Sequence, residues 1–124
     1  MKVISTDKAP AAIGPYSQAL VKGDIVFVSG QIPVDPATGN IPETIEEQTA
    51  QSLSNAEAIL AENGMTLANV IKTSVFLADL NDFAAMNAVY AEFFTGDKPA
   101  RVCYQVVALP LGVRVEIDAI ACNH

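Results

Sequence analysis

Positive charge is scarce in this chain. Its 124 residues include seven Lys and Arg against 14 Asp and Glu, which gives a formal net charge of −7 at pH 7. The basic residues are spread singly along the sequence, whereas proteins that bind nucleic acid derive much of their affinity from clustered Lys and Arg. The sequence therefore argues against a nucleic-acid partner.

Histidine and cysteine are also rare. The one histidine, His124, is the last residue, which argues against a Ser-His-Asp or Cys-His catalytic pair. The two cysteines, Cys103 and Cys122, show neither CxxC nor metal-ligand spacing. We interpret them as reduced thiols in a cytoplasmic protein, and we expect no metal and no cofactor.

Long apolar runs and phosphate-binding glycine motifs are absent. No segment approaches the roughly 20 apolar residues of a membrane span, and the N-terminal segment lacks the apolar run of a signal peptide, so we expect no membrane association. The glycines form neither GxGxxG nor GxxxxGK[ST]. Internal repeats and linkers are also missing, and residues 1–124 are therefore predicted to form a single domain.

Apolar residues, in contrast, are abundant. They make up 51% of the chain, and charged residues only 17%. A small monomer needs more polar groups to cover its surface, so this balance predicts an oligomer that buries part of that surface.

The apolar periodicity predicts elements in the order β-β-β-α-β-α-β-β. Gly23 can supply the positive φ of a hairpin turn between the second and third strands. In the second helix, a stripe of apolar residues at helical spacing is expected to pack in the core. The first four strands are expected at residues 2–5, 17–21, 24–29 and 69–78, and the helices at residues 43–63 and from Asp79 or Asn81 to Thr95. The stripe consists of Phe83, Met86, Tyr90, Phe93 and Phe94.

The fold class predicted from this order is α+β, with two helices on one face of a mixed sheet. Helices can cover only one face of the sheet. The strands nevertheless carry apolar residues on both faces, as in Val26–Val28 and Val75–Leu77. The second face is therefore expected to contact other subunits.

The stretch from Pro99 to Ala121 carries the residues that could do chemistry. It alternates with a period of two on either side of a Leu-Pro-Leu-Gly link, so Arg101 and Cys103 share one face of a strand, while Glu116 interrupts an apolar one. The short link suggests that the two strands are hairpin neighbours. Arg101 and Glu116 could form a structural ion pair, and Cys103 could be a small buried apolar residue.

Four blocks of sequence resemble the Rid (YjgF) family of reactive-intermediate deaminases. They follow one another in the family's order and cover nearly the whole chain, which makes them more specific together than any one alone. Val107 and Ala50 depart from the residues that are common in the family. The blocks are residues 9–18, residues 28–33, residues 79–83 with Asn87 and Tyr90, and Pro99–Arg101 through Val115–Ile117.

The resemblance implies a chorismate-mutase-like fold, with a mixed six-stranded sheet, two helices packed on one face, and the final strand in the middle of the sheet. It also implies a homotrimer with three sites in clefts between subunits. Arg101 and Glu116 would then reach a common site across a cleft, and would not form a cross-strand pair. This expectation conflicts with the hairpin suggested by the short link.

The family's reaction is the hydrolysis of 2-aminoacrylate and 2-aminocrotonate, which pyridoxal-phosphate dehydratases release as enamines and imines, to 2-oxo acids and ammonia. The resemblance implies that Arg101 binds the substrate carboxylate and that Glu116 positions water and relays protons, with no metal or cofactor. The residues that it implies in substrate binding are Tyr16, Ser29, Gly30, Asn87 and Cys103.

Two other classes of function stay open. One is a non-catalytic regulatory trimer that binds a small carboxylate through Arg101. The other is a ribonuclease, a translation inhibitor or a holdase, activities that have been attached to this family. Replacing Glu116 distinguishes the first from an enzyme, because a pure binder has no turnover to lose.

Overall fold

The structure is a computed structural model that describes residues 1–123, so His124 lies outside the described residues. Six strands form one sheet and two helices pack on it, which confirms the predicted α+β class and the order of the elements. The elements are β1 (Lys2–Ile4), β2 (Ala19–Lys22), β3 (Ile25–Gln31), α1 (Ile45–Ala61), β4 (Val70–Leu77), α2 (Phe83–Phe93), β5 (Ala100–Gln105) and β6 (Val115–Cys122).

The strand order across the sheet is β1-β2-β3-β6-β4-β5. The last strand, β6, lies between β3 and β4 and is antiparallel to both. β5 lies at the edge of the sheet and runs parallel to β4, because helix α2 carries the chain back between them. The hairpin suggested by the Leu-Pro-Leu-Gly link is therefore wrong, and the central position of the final strand is confirmed.

Helix α1 begins two residues later than the periodicity predicts. Thr44 is its N-cap, and the Thr44 hydroxyl accepts a hydrogen bond of 3.1 Å from the backbone N–H of Glu47. Glu46 and Glu47 lie in the first turn, where the helix dipole favours negative charge, whereas Glu43 precedes the helix. The apolar face of α1 is buried against the sheet and packs on β3 and β6.

Helix α2 does not bury its whole apolar stripe. The Asp79 side chain caps a short 3-10 turn by accepting a hydrogen bond of 2.8 Å from the N–H of Asn81, and α2 itself begins at Phe83. Met86, Tyr90 and Phe94 are buried, but Phe83 is 39% exposed. The prediction that Phe83 belongs to the core is wrong.

No helix within residues 1–123 is long and apolar enough to cross a membrane.

The two faces of the sheet differ in what covers them. Alternate residues of β4 and β6, such as Val75 and Ile117, are buried beneath the helices. The opposite face, which we call the open face, carries Phe27 and Tyr104, with exposed fractions of 48% and 58%. The apolar character of both faces is as the sequence predicts. A single copy of the chain therefore leaves the large apolar side chains of the open face in contact with solvent.

Candidate functional site

Arg101 projects from the edge strand β5 on the side that α2 covers. It lies opposite Thr73 of β4 in the parallel ladder. Its Nη1 donates a hydrogen bond of 2.7 Å to Oδ1 of Asn87. No carboxylate within residues 1–123 forms an ion pair with Arg101, so its positive charge is available to an anionic ligand.

Two aromatic rings of α2 also contact this guanidinium group. The guanidinium carbon lies 4.9 Å from the ring centre of Tyr90 and 5.6 Å from that of Phe83, within the range of cation–π attraction. Burial raises the pKa of Tyr90, against the smaller opposing effects of the Thr73 hydrogen bond and the Arg101 charge. The Tyr90 ring is therefore neutral at physiological pH.

Cys103 lies two residues beyond Arg101 on the same face of β5. It is half-buried and packs against the hydrophobic core. Burial raises the pKa of the Cys103 thiol, and the positive charge of Arg101 opposes this only in part. A protonated thiol is a poor nucleophile, which agrees with the interpretation of Cys103 as a small apolar residue. Cys103 and Cys122 are both free thiols, as expected.

Glu116 projects from the centre of the sheet on the open face, where β6 pairs with Phe76 of β4. Its carboxyl group occupies the space beside Gly30, and a Cβ atom added there would collide with Oε2. Burial raises the pKa of Glu116, and the neighbouring charge of Asp118 adds to the effect. No side chain or backbone donor within residues 1–123 hydrogen-bonds to this carboxyl group.

A cavity of about 870 Å³ opens beside Glu116. Tyr16, Ser29 and Gly30 line it at the Glu116 end, and its other walls are largely apolar. The Ser29 hydroxyl donates a hydrogen bond of 2.6 Å to the backbone carbonyl of Ser17. This bond ties β3 to the segment that carries Tyr16, so the structure brings four of the seven predicted site residues to one cavity.

Gln18 fixes the segment that forms the far wall of this cavity. The Gln18 side chain is buried, and its amide accepts a hydrogen bond of 2.7 Å from the N–H of Thr6 and donates one of 2.8 Å to the carbonyl of Pro10. These contacts hold an extended, proline-containing loop against β3. Sequence reasoning placed Gln18 in a motif but gave it no role.

The predicted site residues thus form two groups on opposite faces of the sheet. Arg101 shares the helix-covered face with Thr73, whereas Glu116 lies opposite Phe76 on the open face, so these two side chains do not meet within one chain. The cationic group consists of Arg101, Asn87 and Cys103, and the acidic group of Glu116, Gly30, Ser29 and Tyr16. Within residues 1–123, no three His, Cys, Asp or Glu side chains cluster as metal ligands would.

Sequence reasoning missed the contacts that Phe83 and Tyr90 make with Arg101. Both residues follow the helical spacing of a core stripe, and periodicity alone does not distinguish a ring that fills the core from one that supports a charge. Asn87 lies between them, at the fourth residue from Phe83 and the third from Tyr90. A polar residue within an apolar stripe is the one signal that could have indicated a site.

The sheet carries a guanidinium group without an anionic partner within residues 1–123, and a carboxyl group beside a largely apolar cavity. These are features of a protein that binds small molecules. The family model described as Endoribonuclease L-PSP matches residues 6–123. The chain belongs to this family, the Rid or YjgF family, which confirms the resemblance.

Three similar proteins carry the comparison further. The 2-iminobutanoate/2-iminopropanoate deaminase of Rattus norvegicus is 52% identical over 97% of this chain and 88% of its own length. The Salmonella typhimurium protein of the same name is 50% identical over 99% and 98%. The crystal structure of E. coli TdcF with bound serine matches with a TM-score of 0.97 and 46% identity over 100% of both chains.

Proposed function

We propose that this protein hydrolyses 2-iminobutanoate and 2-iminopropanoate, the imine tautomers of 2-aminocrotonate and 2-aminoacrylate, to 2-oxo acids and ammonia. The observation that carries the proposal is the Arg101 guanidinium group, held by Asn87 and two rings and without an anionic partner within residues 1–123. Two curated relatives at 50% and 52% identity carry the deaminase name. The bound serine of TdcF is itself a small carboxylate.

Arg101 is suited to binding the substrate carboxylate. Its Nη1 is engaged by Asn87, which leaves the Nε and Nη2 edge of the planar group to donate two parallel hydrogen bonds. A substrate bound in this way has its C2 atom at a fixed distance from the guanidinium carbon. The imine carbon is therefore presented in one orientation to an attacking water.

Glu116 is suited to moving protons in the same reaction. Its carboxylate accepts a proton as the water oxygen forms a bond to the carbon of the protonated imine, which gives a neutral carbinolamine. Returning that proton to nitrogen makes ammonia the leaving group, and the carboxylate then takes the proton of the new hydroxyl group as the C–N bond breaks and the C2 carbonyl forms. Burial raises the pKa of Glu116, and the higher basicity of the carboxylate favours its acceptance of a proton from water.

The proposed site is completed only by two copies of the chain. Because Arg101 and Glu116 lie on opposite faces of one sheet, they can contact one small substrate only if different subunits supply them. The apolar open face gives such subunits a surface to bury. In a cyclic homotrimer, each copy would supply Arg101, Asn87 and Cys103 to one site and Glu116, Gly30, Ser29 and Tyr16 to the next.

A coupled assay tests the reaction. Purified protein is added to a threonine or serine dehydratase, and the appearance of 2-oxo acid is followed. We expect acceleration by the wild type and a loss of at least about a hundredfold in Arg101→Ala, since each lost hydrogen bond to a charged group costs about 1.5–3 kcal/mol. A folded Arg101→Ala variant with full activity would contradict the proposal.

Mixing two inactive variants tests whether the site is shared. Refolding Arg101→Ala together with Glu116→Gln produces sites in which one copy supplies the arginine and its neighbour the glutamate. Random mixing in equal amounts should restore roughly a quarter of the wild-type activity. If the mixture stays as inactive as either variant alone, the site does not lie between subunits.

The alternative functions have distinct signatures. Wild-type protein that binds 2-oxobutanoate without accelerating its formation would be a non-catalytic carboxylate-binding trimer, which the serine bound to TdcF also supports. The family description Endoribonuclease L-PSP raises the possibility of RNA cleavage. The net charge of −7 opposes it, and binding of RNA measured at increasing salt decides the matter.

A further inference from the structure

We propose that Tyr90 is a positioning residue for Arg101, and that its buried ring holds the guanidinium group ready for a ligand before the ligand arrives. Tyr90 itself does not contact the substrate in this proposal. The identity of the ligand as a 2-oxo or 2-imino acid rests on the proposed function. The positioning of Arg101 does not.

One face of α2 supplies the side-chain hydrogen bond and both cation–π contacts that Arg101 makes within residues 1–123. Phe83, Asn87 and Tyr90 follow each other at intervals of four and three residues, which places them on a single helical stripe. Asn87 accepts a hydrogen bond from Nη1, and the two rings lie within 5.6 Å of the guanidinium carbon. A neighbouring stripe through Met86 and Phe94 serves the core.

Tyr90 is the most firmly held of the three. It is 6% exposed, its hydroxyl shares a hydrogen bond of 2.7 Å with Oγ1 of Thr73, and its ring packs on Phe94 with the ring centres 4.5 Å apart. Thr73 is also the residue that pairs with Arg101 in the β4–β5 ladder. One strand position therefore anchors both the backbone of the arginine and the ring that supports its side chain.

This arrangement affects the cost of binding a ligand. A flexible arginine loses the rotamer entropy of its side chain when it closes on a carboxylate. The Tyr90 ring and the Asn87 amide restrict Arg101 in the folded protein instead. Part of that entropy is then lost on folding, and binding becomes tighter.

The test compares two buried rings that pack on each other, Tyr90 of α2 and Phe94, which directly follows α2. Tyr90→Leu removes the ring beneath the guanidinium, whereas Phe94→Leu removes an equally buried ring for which no contact with Arg101 is found. We expect Tyr90→Leu to weaken binding of 2-oxobutanoate and to raise KM about tenfold with kcat little changed. We expect Phe94→Leu to lower the melting temperature but leave binding within about twofold.

The conservative variant separates the ring from the hydroxyl. Tyr90→Phe retains the aromatic face and should recover most of the binding lost in Tyr90→Leu. If Tyr90→Leu fails to fold, Tyr90→Met fills the space with a flexible side chain and is expected to show the same loss. Equal losses of binding in the Tyr90 and Phe94 leucine variants would mean that both act only through stability, and would overturn the proposal.

A measurement without any ligand separates this proposal from the proposed function. The Nε–Hε resonance of Arg101, assigned by its disappearance in Arg101→Lys, should be shifted by the ring current of Tyr90 in the wild type. Tyr90→Leu should abolish that shift and Phe94→Leu should not. An unchanged resonance in Tyr90→Leu overturns the positioning role of Tyr90. If the resonance shifts as expected but the protein neither binds nor hydrolyses imines, the positioning role of Tyr90 stands and the proposed deaminase function is rejected.

Discussion

The two faces of the sheet treat their charged residues in opposite ways. On the helix-covered face, Arg101 is contacted by an amide and two rings of its own chain. On the open face, Glu116 has no hydrogen-bond donor within residues 1–123, and only the missing side chain of Gly30 makes room for its carboxyl group. A group that orients a substrate benefits from being held, whereas a carboxylate without fixed donors keeps its oxygen atoms available to water and substrate.

The largest expected effect tests this division of roles. Glu116→Gln keeps the shape of the side chain but cannot accept a proton, so we expect imine hydrolysis to fall by about 10²–10⁴-fold. Binding of 2-oxobutanoate, measured by calorimetry, should be little changed because Arg101 is intact. Equal losses of binding in Glu116→Gln and Arg101→Ala would mean that both residues hold the substrate, and the comparison would fail.

Two phenylalanines, Phe83 at the start of α2 and Phe94 directly after its end, sharpen the contrast between core and site. Phe94 is 4% exposed and Phe83 is 39% exposed. We expect Phe94→Ala to lower the free energy of unfolding by about 3–5 kcal/mol. Phe83→Ala should lower it by about 1 kcal/mol or less, because the ring loses mainly its contact with Arg101. Urea denaturation measures both changes in the free energy of unfolding. Similar losses in the two variants would mean that the Phe83 ring contributes to the core as Phe94 does.

Gly30 provides a test confined to the acidic group of residues on the open face. In Gly30→Ala, the new methyl group competes with Oε2 of Glu116, so the carboxyl group must move. A displacement of this kind should reduce kcat by about a hundredfold. Gly96→Ala is the matched control, since nothing lies within 4 Å of the added carbon. The Arg101 resonance should be unchanged in Gly96→Ala, and a shift in Gly30→Ala would support the proximity of Glu116 to Arg101 of a neighbouring copy.

The smallest expected effect is a pH dependence. Burial raises the pKa of Glu116 above its usual value of about 4.3, so the charged form is disfavoured in the folded protein. Stability that the protonated form contributes is lost as the pH rises through the folded pKa. Glu116→Gln should therefore melt higher than the wild type at pH 7–8, and the difference should vanish toward pH 4. A lower melting temperature of Glu116→Gln at pH 7 would mean that the charge of Arg101 from the neighbouring copy outweighs the cost of burying the carboxylate.

The local sequence pattern predicts the helices and strands of this fold better than it predicts which strands pair with each other. Alternation and helical spacing are set by each segment's own environment, so the element order and the fold class are confirmed. Strand pairing depends on distant segments, so the short Leu-Pro-Leu-Gly link gave the wrong prediction that β5 and β6 form a hairpin. The β3 strand reaches Gln31, beyond its predicted end, because an irregularity between Val28 and Gln31 lets its pairing with β6 resume.

The residues of the candidate site come from the resemblance, and their roles in binding and catalysis stay predictions. The resemblance supplied Arg101, Glu116 and their companions, but the opposite orientation of the two depends on how β4 pairs with β5 and with β6. The role of Asn87 is a similar case. Sequence similarity implies a substrate contact, whereas its amide oxygen accepts a hydrogen bond from Arg101. A contact between Asn87 and substrate stays a prediction.

The central position of β6 has a consequence for biosynthesis. This strand comes last among the elements in chain order, yet it joins the β1-β2-β3 half of the sheet to the β4-β5 half. A nascent chain cannot close its sheet until the ribosome has released residues 115–122. The sheet must therefore complete its folding after residues 115–122 have been translated. A nonsense mutation shortly before codon 115 would remove the middle of the sheet, and such a transcript would yield no folded product.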